Sequence, residues 1–124
     1  MRPVYSGWQI CDAFMTIAEV LDIALSLPNV EETFPFGENV LVLKVKGKMF
    51  LAISLNSIPL QCNAKCDPER AISLREEYED ILPGYHMNKK HWNTILLTGY
   101  IPTKLIRELI THSYELVCPK PKKN

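Results

Sequence analysis

The chain has 124 residues, the length of one domain able to bury a core without staples, and its 47% apolar and 23% charged composition excludes a disordered chain, a collagen-like repeat and a coiled coil. No run of about 18 uncharged apolar residues offers a membrane-spanning helix. Fourteen basic and fourteen acidic side chains cancel, which argues against strong non-specific nucleic-acid affinity, yet residues 1–43 carry a balance of −5 and residues 81–124 one of +5, leaving room for a local basic surface.

Residues 1–14 read as an extension in which Trp8, Ile10, Cys11 and Phe14 are apolar without a clear period, and Met15 is an alternative start. A secretory signal is not expected: the start carries one Arg, and the apolar stretch that follows is broken by Asp12, Glu19 and Asp22. Reduced thiols in a cytoplasm are therefore expected of Cys11, Cys62, Cys66 and Cys118. Thr16-Ile-Ala-Glu19 is a capping box, and Ile17, Val20, Leu21 and Ala24 follow it at helical spacing up to Pro28. Val30 to Gly37 reads as a connector. A strand is predicted over 40–46, a turn at Gly47, and a central strand over 49–55. Residues 59–63 read as a third strand, with Pro59 pointing to an edge or a strand start.

Asp67-Pro68-Glu69 is a strong helix start, with a capping carboxylate and a proline where the first turn tolerates one. That helix runs to Tyr78, and Ala71, Ile72, Leu74 and Tyr78 form its apolar arc. Arg75 falls inside the arc, so it must snorkel, pair, or meet an anion. Residues 79–91 are a loop or irregular strand around Pro83-Gly84, and Trp92 to Leu97 is a strand. Pro102 and Thr103 open a last helix whose buried stripe is Leu105, Ile106, Leu109, Ile110 and Val117. The pattern is helix, three strands, helix, one or two strands, helix. Short links imply antiparallel pairing, and amphipathic helices must cover an apolar sheet face, which gives a two-layer α+β domain. The organisation is an extension (1–14), one domain (15–118) and a basic flexible tail (119–124).

The densest polar and aromatic segment is Tyr85-His-Met-Asn-Lys-Lys-His-Trp92. Its Lys89 and Lys90 suit phosphate, Tyr85 or Trp92 suits stacking on a base, and His86 and His91 titrate near neutral pH. The bland alternative has Tyr85 and Trp92 plugging the core while the rest is solvated. His86 and His91 lack the spacing of a helical zinc pair, Cys62-x3-Cys66 is not a zinc knuckle, and neither a nucleophile elbow nor a phosphate loop occurs. No metal, no cofactor and no catalytic activity are expected. His112, near Glu108 and Glu115, is expected in a surface ion pair; Lys44 and Lys46 share a strand face by period two.

Phe34-Pro-Phe-Gly37, Gly47-Lys-Met-Phe50, Lys65-Cys-Asp-Pro-Glu69, Leu74-Arg-Glu-Glu-Tyr78, Ser113-Tyr-Glu-Leu-Val117 and above all Pro83-Gly-Tyr-His-Met-Asn-Lys-Lys-His-Trp-Asn-Thr94 resemble the MmcQ/YjbR family of small bacterial proteins. The resemblance covers residues 15–117; its members typically begin near Met15, so the first 14 residues depart from the pattern. It implies a fold like that of type III secretion chaperones, in the order helix, three strands, helix, two strands, helix, with a short strand inside 80–90. It also implies DNA binding through a "double wing" motif.

Two readings of function result. In the first, the chain binds nucleic acid, with Lys89, Lys90, His91, Lys44, Lys46 and the tail on phosphates and Tyr85 or Trp92 as a stacking surface. In the second, Arg75 joins Tyr85, His86, Asn88, Lys89, Lys90, His91 and Trp92 around one concave site for a small anionic ligand or a protein partner. A monomer with no membrane partner is expected in either case.

Overall fold

The computed structural model describes residues 15–84 and 87–118. Thr16 caps helix α1 (Ile17–Leu25): its Oγ1 accepts the Glu19 amide at 3.1 Å, and Glu19 Oε1 accepts the Thr16 amide at 2.9 Å. Four strands follow, β1 (Val30–Thr33), β2 (Val40–Val45), β3 (Lys48–Ser54) and β4 (Gln61–Lys65). Helix α2 (Pro68–Glu77) is capped by Asp67, whose Oδ2 accepts the Arg70 amide. Strands β5 (Ile81–Pro83) and β6 (Trp92–Leu96) precede helix α3 (Thr103–Val117). The six strands form one sheet in the order β1-β2-β3-β4-β6-β5, every neighbour antiparallel.

The expected α+β class holds, but four strands, not three, lie between the first two helices. The additional one is β1, in the segment read as a connector. Its Glu31 and Glu32 are exposed and hide the strand from pattern reading, while Val30 pairs with Val45 and Thr33 with Val42. Thr33 Oγ1 also donates to the Val42 carbonyl at 3.0 Å. The expected short strand within 80–90 is β5. Strand β4 starts at Gln61 and is central between β3 and β6, so Pro59 sits outside the ladder and imposes no edge.

Lys46 and Gly47 form the two-residue turn between β2 and β3, both left-handed (φ 53° and 77°). Such a turn matches the twist of the flanking strands. Lys46 is therefore a turn residue and does not share a strand face with Lys44, as period two alone would have it.

One sheet face carries the core. Leu41, Leu43, Leu51, Ile53, Cys62, Ala64, Ile95 and Ile81 lie along it in register and meet Val20, Ile23, Leu74, Ile106 and Ile110 from the helices. In α2, Ile72 is 54% exposed, outside the expected arc, and Arg75 is half-buried within it. In α3, Ser113 and Tyr114 join the stripe. The Ser113 hydroxyl donates to the Phe50 carbonyl and accepts the Lys65 amide at 2.8 Å, just beyond the last β3–β4 pair, Leu51 with Ala64. Phe50 itself is skipped by the register shift at Leu43/Lys44, and its ring meets Tyr114 edge-on at 5.4 Å. The Tyr114 hydroxyl donates to the Pro28 carbonyl at 2.7 Å and ties α3 to the end of α1. Among the described residues no helix is long and apolar enough to cross a membrane.

Candidate binding face on the open side of the sheet

Among the described residues no helix lies on the other sheet face. Register puts Trp92 opposite Lys65 and Thr94 opposite Asn63, and Ala52 opposite both Asn63 and Val42. With two-residue alternation, Val42, Ala52, Asn63, Lys65, Trp92 and Thr94 share this face. Val42 and Ala52 are buried yet lie outside the core cluster. A hollow of about 460 Å³ opens here, walled by Phe36, Met49, Met87, Asn88 and Trp92 with Asn63 in its floor. Gln61, Ser54, Val40 and Ala52 complete its lining, so no ionised side chain lines it.

The loop over this hollow is fixed from behind. Asn88 folds on itself, with Oδ1 accepting the Lys90 amide at 2.9 Å and its carbonyl accepting the His91 amide at 3.2 Å. The Cys66 amide donates to the His91 carbonyl at 2.8 Å. Arg75 reaches from α2, donating from Nη2 to the Lys89 carbonyl at 2.7 Å and from Nε to Asn93 Oδ1 at 2.8 Å. Asn93 is buried and its Nδ2 donates to the Ala71 carbonyl. The guanidinium thus resolves its apolar setting by bracing the loop through neutral acceptors. On the near side, the Gly84 amide donates to the Trp92 carbonyl at 2.8 Å.

Of the residues expected at the site, Asn88 and Trp92 line the hollow, with Lys89 and Lys90 exposed beside them and His91 half-buried. Arg75 is not among the lining residues; it stands behind the loop. Tyr85, His86 and the tail lie outside the described residues, as does the 1–14 extension. Lys44 pairs with Met49, and Lys65 with Trp92, at the end of the open face that carries the 87–91 loop. Lys44 and Lys65 therefore lie toward the same end of the sheet as that loop, with Glu31 opposite Lys44 across the β1–β2 pair.

Sequence reasoning missed Asn63, Gln61 and Ser54, together with Met49, Met87 and Phe36. A signal did exist: Gln61, Asn63 and Lys65 alternate with apolar Cys62 and Ala64, the period of a strand with one face buried and one polar. Asn63 is only 8% exposed, and its Oδ1 accepts the Thr94 hydroxyl.

Three other expected groups are placed differently or held inert. His112 does not stand as a surface ion pair: its Nε2 accepts the Asp67 amide at 3.2 Å, the role of a neutral imidazole. Burial first, then the Arg70 charge, lower its pKa. Burial pushes the Cys62 thiol up to about 12 and raises that of Cys66. Among the described residues no three of His, Cys, Asp and Glu come together as a metal site.

Among the described residues, an antiparallel sheet with three helices on one face and a walled hollow on the other defines a two-layer α+β platform with a helical backing. The YjbR family model matches residues 25–116, and the chain belongs to that family. It is 43% identical over 96 residues to YbdF of Escherichia coli O157:H7, covering 77% of this chain and 78% of that protein. It is 31% identical over 101 residues to YjbR of Escherichia coli strain K12, covering 82% and 86%. The crystal structure of Deinococcus radiodurans DR2400, with a DUF419 domain, superposes with a TM-score of 0.82 at 38% identity, covering 90% of this chain and 85% of that one. A Pseudomonas syringae protein gives a TM-score of 0.71 at 28% identity, covering 82% and 98%.

Proposed function

We propose that the chain is a non-enzymatic binding module that takes single-stranded nucleic acid on the open sheet face. A base would enter the hollow beside Trp92, and the flanking phosphates would meet Lys89, Lys90, Lys44 and Lys65. The observation that carries this reading is one apolar, Trp-walled hollow at the end of the face where the exposed Lys89 and Lys90 and the strand lysines Lys44 and Lys65 also lie. Stacking platforms beside basic side chains are how sequence-tolerant single-strand binders work. Duplex DNA fits less well, because the net charge is zero and, among the described residues, no helix stands on this face to enter a groove.

Fluorescence anisotropy of labelled single- and double-stranded DNA across a salt series tests it. The expected result is single-strand binding that falls steeply with salt and weakens in a Lys89→Ala/Lys90→Ala variant. No binding of either form at low salt overturns it.

The absence of charge from the hollow's lining favours a second reading, a small ligand held inside it; the volume of about 460 Å³ lies within the roughly 300–1,000 Å³ of small-molecule sites. An anionic ligand or partner would draw on the rim lysines, since Arg75 already spends Nε and Nη2 on the loop. A Trp92→Ala variant that loses a thermal shift given by a neutral planar ligand, with no response to DNA, selects this reading.

A further inference from the structure

The floor of the hollow contains a buried amide that is only half used. Asn63 is 92% buried, taken from its 8% exposure, and it lines the hollow. Its Oδ1 is occupied by the Thr94 hydroxyl. Its Nδ2 has no protein acceptor among the described residues, although it carries two donor hydrogens. Buried donors in native structures are normally paired, and an exception calls for an explanation. Trp92, Met49, Met87 and Phe36 in the lining offer no oxygen acceptor, and Ser54, Gln61 and Asn88 of the same lining accept no hydrogen bond from Nδ2.

We infer that Asn63 is the specificity-determining residue of this hollow, donating from Nδ2 to a ring carbonyl oxygen of a flat heterocycle seated beside Trp92. The inference deepens the nucleic-acid reading and rests on it. An asparagine with both ends free recognises adenine by giving one hydrogen bond and taking another. Asn63 Oδ1 already accepts from Thr94, so the end of the amide still without a partner is the Nδ2 donor. That donor suits a keto edge and leaves an amino group facing an amide hydrogen. Bases with a keto group at the ring position contacted are therefore preferred over their amino counterparts. Gln61, two residues along β4 from Asn63, and Asn88 also line the hollow and add polar contacts beside it.

The test uses two oligonucleotide pairs that differ by this exchange alone or nearly so: oligo-deoxyinosine against oligo-deoxyadenosine, and oligo-deoxythymidine against oligo-deoxycytidine. Binding is read from quenching of Trp92 in a Trp8→Phe background. The keto member of each pair is expected to bind about tenfold more tightly, the cost of meeting a buried donor with no acceptor. Asn63→Asp, which replaces the donor by an acceptor, is expected to abolish the preference. Thr94→Val, which frees Oδ1 without touching Nδ2, is expected to relax it, and serves if the aspartate variant does not fold. Equal binding of keto and amino members, or a preference unchanged in both variants, overturns the inference; the binding reading then stands if Trp92→Ala, followed by anisotropy of the labelled oligonucleotides, abolishes binding. Failure of all four oligonucleotides to bind or to quench Trp92 overturns both.

Discussion

Gly84 and Trp92 approach so closely across the β5–β6 pair that a methyl group on Gly84 would lie 2.7 Å from the Trp92 Cβ and 2.9 Å from its carbonyl oxygen. Both contacts are with atoms that cannot swing aside. The glycine in Pro83-Gly84 is thus required by proximity to the wall of the hollow, and its own amide completes the contact by donating to Trp92.

Gly84→Ala is accordingly expected to force the strands apart. A loss of about 1–3 kcal/mol, the usual cost of overpacking, should appear in urea denaturation, with a shifted Trp92 emission. A fully stable variant with unchanged emission would contradict the role given to this glycine.

Arg75→Met removes both donors that brace the loop and leaves buried Asn93 Oδ1 without its partner. The expected cost is about 1–3 kcal/mol. Amide hydrogen exchange at residues 87–91 should quicken more than in the core of the sheet. Uniform quickening would mean that Arg75 supports the fold alone.

Ser113→Ala opens the gap between β3 and β4, since one hydroxyl serves the Phe50 carbonyl and the Lys65 amide. Two buried backbone groups lose a partner, so a loss of about 1–3 kcal/mol is expected. Ser113→Cys, with a poorer hydrogen-bonding group, should not restore the stability measured by thermal melting.

His112 gives the protein an acid-side dependence. Its folded pKa is lowered by burial and by Arg70, against the opposing charges of Asp67 and Glu115. As pH falls below the ordinary 6.5, the unfolded chain takes up a proton that the folded chain resists, so stability falls with pH across that window and is intact above it. His112→Gln, which cannot titrate, should give a flatter plot of urea midpoint against pH. Parallel plots would exclude the histidine as the source.

Cys62 and Cys66 are buried, with thiols pushed above their ordinary range. Iodoacetamide at about pH 8 should leave both unmodified in the folded protein and label them after urea unfolding. Mass spectrometry of the intact and unfolded chain distinguishes the two states.

The parts of this fold legible in the sequence are those set by local chemistry. Thr16 and Glu19 announce α1, and Asp67 with Pro68 announces α2, because caps act within one turn. Strand β1 was not legible, since its two acidic residues face solvent at an edge and its stability comes from pairing with β2. The same division runs through the site. Trp92, Asn88 and the lysines stood out as a cluster along the chain. Asn63 did not, because a small polar residue within a strand acquires meaning only when register sets it beside Thr94 and diagonal to Trp92. Arg75 was noticed for its misplacement, but the neutral acceptors that receive it come from residues 14 and 18 positions away.

The borders of the sheet bear on what happens when many copies meet. On one side runs β1, four residues long with Glu31 and Glu32 exposed; on the other β5, three residues ending in Pro83, which has no amide hydrogen to offer. A neighbouring chain would find repulsion at one border and an interrupted ladder at the other. Fibrous growth by strand addition is disfavoured at both borders, even while the protein is concentrated.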